Sequence, residues 1–122
     1  MRMLLLSAAC GLLIGCQSEE SLRLAHEIGA IQELKAISAA EVQYYSQKGH
    51  YSGDFHELGI SAPDPANGYT YRMALAQGGF EIRAMPVEFG KTGSRSFFSD
   101  QTMVIRQSKT SDPANADSPV IE

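Results

Sequence analysis

The spacing of apolar residues between Glu19 and Gln47 predicts one long amphipathic helix. Placed at about 100° per residue, its large apolar side chains form a single stripe that we expect to be buried. Ser18 is placed to cap the first turn, and Gly49 follows the last one. At about 1.5 Å per residue the helix is roughly 40 Å long, so its first turns should overhang the core. The stripe comprises Leu24, Ile28, Ile31, Leu34, Val42 and Tyr45, with Ile37 and Tyr44 on its flank.

The apolar period changes from 3.6 to 2 near residue 68, which predicts a switch from helix to strands. Residues 49–67 are rich in Gly, Ser, Asp and Pro and are expected to form a loop with one short helical turn. Beyond them, apolar and polar residues alternate over 69–76 and again over 80–85, as in two antiparallel strands. The sheet face expected to meet the helix stripe carries Tyr71, Met73, Phe80 and Ile82.

Two turns could join these strands. A turn at Gln77–Gly78 sets Arg72 opposite Arg83, and a turn one residue later, at Gly78–Gly79, sets it opposite Met85. We favour the later turn, because a type I′ turn needs positive φ at both central residues and like charges across a ladder are destabilising. Both registers keep the aromatic face inward.

The last part of the chain predicts a second hairpin followed by a tail. Residues 95–99 and 104–107 read as strands around a turn at 100–103, so the fold class is α+β. We expect a long N-terminal helix packed on a small antiparallel sheet of three to four strands. Residues 108–122 contain two prolines, three acids and few large apolar residues, and are expected to be a disordered acidic tail.

An apolar run precedes the predicted helix. Residues 3–15 follow the positively charged Arg2 and resemble a secretory signal peptide, and they are too short to cross a bilayer, which needs about 20 residues. The run ends in Leu13, Ile14, Gly15 and Cys16, which resemble the lipobox of a bacterial lipoprotein. The alternative is an ordinary cleavable signal with an incidental cysteine. Polar residues follow Cys16 at once, as lipoprotein cleavage requires.

The lipobox resemblance implies cleavage before Cys16 and its modification by diacylglycerol and by a fatty acid such as palmitate. Residues 1–15 are then the lipoprotein signal peptide, 16–107 one folded domain, and 108–122 the tail. By resemblance to lipoprotein sorting, Gln17 favours the outer membrane over the inner one. Two or more acyl chains anchor a protein stably, so the lipid alone would hold the chain on the membrane.

Charge and cysteine content narrow the classes of partner. The formal net charge is −4 at pH 7 and the basic residues form no cluster, which argues against nucleic acid and against attachment to anionic lipids through a polybasic patch. Of the two cysteines, Cys10 lies in the signal peptide and Cys16 is the lipidation site. No disulfide is therefore expected.

The order of one long helix and a small antiparallel sheet resembles the globular part of type IV pilins and type II secretion pseudopilins. Local sequence resembles that family too, over roughly residues 25–107. The loop after the helix is similar to a family pattern of G-x-Y followed by L and LG. The segments that carry the resemblance are Ala30–Val42, then Gly49, Tyr51, Leu58 and Gly59, then Gly68–Tyr71, Phe80–Ile82 and Pro86, and finally Arg95–Gln101 with Val104–Arg106.

Two departures from the pilin pattern bear on function. A pilin has a prepilin-peptidase site followed by some 20 apolar residues that build the filament shaft, whereas this chain has a lipobox and the polar residues 17–21. Shaft assembly by this helix is therefore not expected. Relatives also tend to carry glycine where this chain has Met103 in the last turn.

Several residue groups could carry chemistry, and for each a structural interpretation is favoured. His50, Asp54, His56 and Glu57 have no spacing typical of a zinc site, and His26 lies far back on the helix, so neither metal nor cofactor is expected. The pairs Glu19–Glu20 and Asp54–Glu57 lack apolar surroundings in the sequence that would suit acid–base catalysis.

Other motifs are weaker still. Gly90, Lys91 and Thr92 resemble the end of a phosphate loop, but Met85 stands where the motif requires glycine. Ser94, Ser96 and Ser99 lack the setting of a nucleophile elbow. The aromatic residues at period two are typical of a core, and they are Tyr69, Tyr71, Phe80, Phe97 and Phe98. No enzymatic activity is therefore expected.

Two functions remain. The first is a lipid-anchored envelope protein whose pilin-like domain is an interaction module, with exposed loop residues such as Lys91 and Arg95 contacting an envelope protein partner of pilus-like or type II secretion-like machinery. The second is a periplasmic lipoprotein that binds a small ligand or modulates an enzyme. The pilin resemblance favours the first, since globular pilin domains act by protein contact.

Overall fold

A single long helix begins the fold. A computed structural model describes the backbone of residues 7–121 and the side chains of residues 19–121. Helix α1 spans Ser7–Lys48. Gly49 follows it with a φ of 80°, and the Gly49 N–H donates to the Tyr45 carbonyl at 2.8 Å. The predicted end is confirmed, but the predicted cap at Ser18 is wrong, because residues 7–17 are helical as well. Residues 1–6 of the predicted signal peptide lie outside the described residues.

Four antiparallel strands follow, in the spatial order β1-β2-β3-β4. They are β1 (Tyr69–Ala76), β2 (Gly79–Pro86), β3 (Ser96–Asp100) and β4 (Ile105–Ser108). Between α1 and β1 lie the short helix α2 (Phe55–Leu58) and a 3₁₀ turn at Pro65–Asn67. The α+β fold, with its long N-terminal helix on a small antiparallel sheet, is confirmed.

The first hairpin takes the register that the sequence disfavoured. Arg72 pairs with Arg83, and Gln77–Gly78 form the turn, with Gly78 at φ 73°. The preference for Gly78–Gly79 was wrong because the charge of Arg83 is compensated. Its Nη1 donates to Glu81 Oε2 at 2.9 Å, and its guanidinium lies 5.1 Å from the centroid of the Phe98 ring.

The core lies between α1 and one sheet face. The predicted sheet face is in place, since Phe80 and Ile82 are buried and Tyr71 and Met73 pack against the same cluster. The helix, however, is rotated by roughly 70° from the predicted orientation, taking 100° per residue. Leu34 is buried and Ile31 half-buried, whereas four other members of the predicted stripe are exposed, namely Leu24, Ile28, Val42 and Tyr45. The buried helix face consists of Glu27, Ala30, Leu34, Ile37, Ser38 and Glu41.

The turn of the second hairpin holds Met103 in a left-handed conformation. Met103 has φ 66° and is the only non-glycine residue with positive φ among those described. Its N–H donates to the Asp100 carbonyl at 2.9 Å, and Thr102 donates to the Asp100 carboxylate, which closes the turn. A left-handed conformation costs a side-chain-bearing residue about 1–2 kcal/mol, so glycine fits this position better than methionine.

The segment after β4 differs from the predicted disordered tail. The Gln107 N–H donates to the Pro119 carbonyl at 2.8 Å, and the Ile121 N–H donates to the Ile105 carbonyl at 3.0 Å. Ala114 is buried, and its N–H donates to Ser96 Oγ at 2.9 Å. The free edge of β4 would otherwise present unpaired backbone groups, and residues 109–121 supply partners for them. The composition of this segment alone does not reveal that role.

Candidate functional site

Cys16, the predicted lipidation site, lies within α1 three residues ahead of Glu19. Its side chain belongs to the part of the chain that is not described. Its distance from the domain is nevertheless defined by the helix, because Arg23, His26 and Glu27 of α1 contact the loop 87–95 between β2 and β3. At about 1.5 Å per residue, Cys16 precedes the first of these contacts, at Arg23, by about 10 Å.

A buried ion pair holds this loop on the helix. Glu27 Oε1 accepts from Arg95 Nε at 2.7 Å, and Glu27 Oε2 accepts from the Ser94 N–H at 2.8 Å. The side chains of Arg95 and Glu27 are only 23% and 8% exposed. Arg95 also donates to Gln107 at 2.9 Å and lies over the Phe97 ring. The interpretation of Arg95 as an exposed recognition residue is therefore wrong, whereas Lys91 is exposed.

Tyr69 and His26 fix the same loop from two other sides. The Tyr69 hydroxyl donates to the Arg95 carbonyl at 2.5 Å, and burial raises the pKa of Tyr69 well above its usual value. A side chain at Gly93 would overlap this hydroxyl. His26 Nδ1 lies 2.9 Å from the Thr92 carbonyl, and the ring packs on Gly68. These contacts make the loop a rigid part of the domain.

A second polar cluster lies at the other end of α1. Glu41 is fully buried, and its Oε1 accepts from the Ser52 N–H at 2.8 Å. Ser52 Oγ donates to Glu57 at 3.0 Å, and the Tyr44 hydroxyl reaches Glu57 at 3.5 Å. Burial raises the pKa of Glu41; the hydrogen bond from Ser52 opposes the effect, and the charge of Glu57 adds to it. This cluster fastens the loop after α1 to the helix.

The raised pKa of Glu41 predicts a pH dependence of stability. Its stabilising contribution is fully present below the ordinary pKa of about 4.5 and is lost as pH rises through the higher folded-state value. Glu41→Gln keeps an acceptor for Ser52 but does not titrate. In urea unfolding from pH 4 to 8, we expect the variant to lose less stability with rising pH than the parent does. Glu88→Gln, in an exposed side chain, is the control, and identical profiles for Glu41→Gln and the parent would contradict the assignment.

The residues considered for a metal site take separate structural positions. Asp54 caps α2 by accepting from the His56 N–H, and both His50 and His56 are exposed. Among the side chains described, no three His, Cys, Asp or Glu residues lie close enough together to hold a metal ion. Glu19 and Glu20 are exposed on the first described turns of α1.

The candidate motifs of β3 and the preceding loop are also part of the scaffold. Residues 90–92 belong to the loop held by Glu27, with the Gly90 N–H donating to the Gly93 carbonyl at 2.8 Å. Ser94 is held by Glu27, while Ser96 and Ser99 are buried within β3. Of the aromatic residues, Tyr69, Phe80 and Phe97 belong to the core, Tyr71 packs against it, and Phe98 is buried on the opposite sheet face under Arg83.

A cleft with a volume of about 670 Å³ lies where the final segment leaves β4. Its walls include Gln107, Lys109, Thr110 and Ser118. Arg95 also lines it, but that guanidinium is already bonded to Glu27 and Gln107. The volume is in the range of small-molecule sites, and the polar groups that would meet a ligand are mainly hydroxyls and Lys109.

Comparison of the chain with known protein families, with curated proteins and with solved structures found no match. Over the described part of the chain, no helix combines the length and the apolar character needed to cross a bilayer.

Proposed function

We propose that this protein is a lipoprotein of the bacterial envelope, anchored through Cys16, whose α+β domain is a non-catalytic interaction module similar to the globular part of pilins and pseudopilins. The α+β arrangement is the one that the pilin resemblance implies. The ionisable groups of the interior support a structural role, because Glu27, Arg95 and Glu41 each bond to a neighbouring loop or strand.

The observation that carries the proposal is the position of Cys16. It closes an apolar run that resembles a lipobox, and it lies about two helical turns ahead of Arg23, the first helix residue that bonds to the loop 87–95. A lipid at that position would therefore hold one copy of the domain close to a membrane surface. The resemblance to lipoprotein sorting favours the outer membrane, because Gln17 follows the cysteine.

Replacement of Cys16 tests the anchor, and Cys10 provides a matched control in the same segment. We expect Cys16→Ala to abolish palmitate labelling and to release the protein from membranes in cell fractionation. Cys10→Ala should be labelled, processed and membrane-bound like the parent, because Cys10 lies inside the predicted signal peptide. A Cys16→Ala protein that stays processed and membrane-bound would show that another feature attaches the chain.

The exposed face of α1 supports action by protein contact. Leu24, Ile28, Val42 and Tyr45 remain exposed on it because the buried face is centred elsewhere. They form two exposed apolar pairs, Leu24 with Ile28 and Val42 with Tyr45, and the exposed Lys35 lies between the pairs. Exposed apolar patches mark interaction sites on soluble domains. The partner that suits this face is an envelope protein with an apolar surface, as found in pilus-like or type II secretion-like assemblies.

Substitutions on this face test the contact. We expect the double variant Ile28→Gln with Val42→Gln to fold with stability near that of the parent, since both side chains are exposed. It should lose the protein that co-purifies with the parent from detergent-solubilised envelopes. Leu75→Gln, at an exposed apolar residue of β1, should retain that protein. Retention of the same partner by the double variant would exclude this face as the contact surface.

A further inference from the structure

The loop between β2 and β3 presents two large apolar side chains to solvent. Val87 is 52% exposed and Phe89 is 44% exposed. The loop backbone is nevertheless firmly bonded, because the Lys91 and Thr92 N–H groups both donate to the Glu88 carbonyl at 3.0 Å. Thr92 Oγ1 also accepts from the Glu88 N–H at 3.0 Å. We define the tip as residues 87–91; it is a hydrogen-bonded element with exposed apolar side chains.

The contacts of this loop with α1 place the tip at the end of the domain nearest to Cys16. Ser94 and Arg95 bond to Glu27, and Thr92 contacts His26. Farther toward the tip, Gly90 and Lys91 share a cleft with helix residues Glu19, Leu22 and Arg23. From Arg95 back to Gly90, loop residues closer to the tip therefore lie beside helix residues closer to the start of α1.

The tip lies within reach of a bilayer that holds the Cys16 lipid. Leu22, which is exposed, follows Cys16 by six residues, a rise of about 9 Å. Apolar side chains of interfacial elements enter the boundary between headgroups and acyl chains to a depth of about 5–10 Å. The two distances are comparable for Leu22 and for the end of the tip that shares its cleft, which Phe89 directly precedes. Val87 lies farther back, because its N–H donates to the Gly68 carbonyl and Gly68 packs on His26.

We propose that Phe89, together with Leu22, inserts into the interface of the membrane that carries the Cys16 lipid and so fixes the orientation of the domain on it. This inference rests on the proposed lipid anchor. The fitting surface is zwitterionic, because Glu19 shares a cleft with the tip and Lys91, the basic residue of the tip, is paired with Glu88 at 3.5 Å. A fixed orientation would also present the same helix face to an envelope partner in every copy.

The absence of tryptophan from the chain allows a direct test. Phe89→Trp gives the full-length, acylated protein one tryptophan at the tip, and Leu75→Trp places it at an exposed apolar position beside Tyr45 and Gly49, at the far end of the helix. Both proteins are reconstituted in phosphatidylcholine vesicles with and without brominated acyl chains. We expect the tryptophan at position 89 to lose most of its emission in brominated vesicles and the one at position 75 to keep it.

The outcomes separate this inference from the anchor itself. If the acylated protein floats with the vesicles and the tryptophan at 89 emits equally with and without bromine, membrane insertion of the tip is wrong while the anchor stands. A blue-shifted but unquenched tryptophan at 89 would mean that a protein surface covers the tip, which also overturns the inference. If the protein does not float with the vesicles, the anchor is wrong and the tip has no membrane to enter. Leu22→Trp, at an exposed residue of the same group, repeats the measurement if Phe89→Trp lowers the melting temperature.

Discussion

Glu27→Ala is expected to lower the free energy of unfolding by roughly 2–4 kcal/mol, near the lower end of the range for broken buried ion pairs because Arg95 keeps some exposure. The substitution leaves the Arg95 Nε–H and the Ser94 N–H without their acceptor, while Arg95 keeps its bond to Gln107. Chemical denaturation of the parent and the variant measures the difference.

The exposed pair of Glu88 and Lys91 provides the control for this prediction. Exposed ion pairs contribute about 0–1 kcal/mol, so Glu88→Ala should have a small effect. In a double-mutant cycle, the variant with both Glu27→Ala and Arg95→Ala should lose less free energy of unfolding than the sum of the losses in the two single variants. Additive costs, or a small effect of Glu27→Ala, would show that the pair does not hold the loop.

The orientation of α1 is tested by two isoleucines on different faces. Ile37 is fully buried and Ile28 is 47% exposed. We expect Ile37→Ala to cost about 2–5 kcal/mol. Ile28→Ala should cost less than about 1 kcal/mol, because most surface substitutions have small effects. The opposite ranking of the two variants would restore the orientation that the apolar stripe predicted.

The sequence predicted the fold class because a change of apolar period is a property of the chain alone. The end of α1 at Gly49 and the strands after residue 68 were predicted for the same reason. The orientation of the helix was predicted wrongly, because two of its buried positions are glutamates. Glu27 and Glu41 lie seven residues on either side of Leu34, which keeps them on one helix face. That spacing is a signal in the sequence, but only their distant partners, Arg95 and Ser52, make burial favourable.

The other differences also come from long-range contacts. The first hairpin tolerates Arg72 opposite Arg83 because Glu81 and Phe98 compensate Arg83, and neither contact belongs to the turn itself. The final segment is placed by the open edge of β4, a feature that appears only after the sheet has formed. Recognition of Arg95 as a structural residue likewise required Glu27, which is distant in sequence.

The proposed membrane anchor at Cys16 can be observed in the mass of the N-terminal tryptic peptide of the protein extracted from membranes, a peptide that should end at Arg23. We expect a peptide that begins at Cys16 and carries diacylglycerol on the sulfur and a fatty acyl chain on the amino group. A membrane-extracted peptide that begins elsewhere, or that contains an unmodified Cys16, would rule out attachment through this residue.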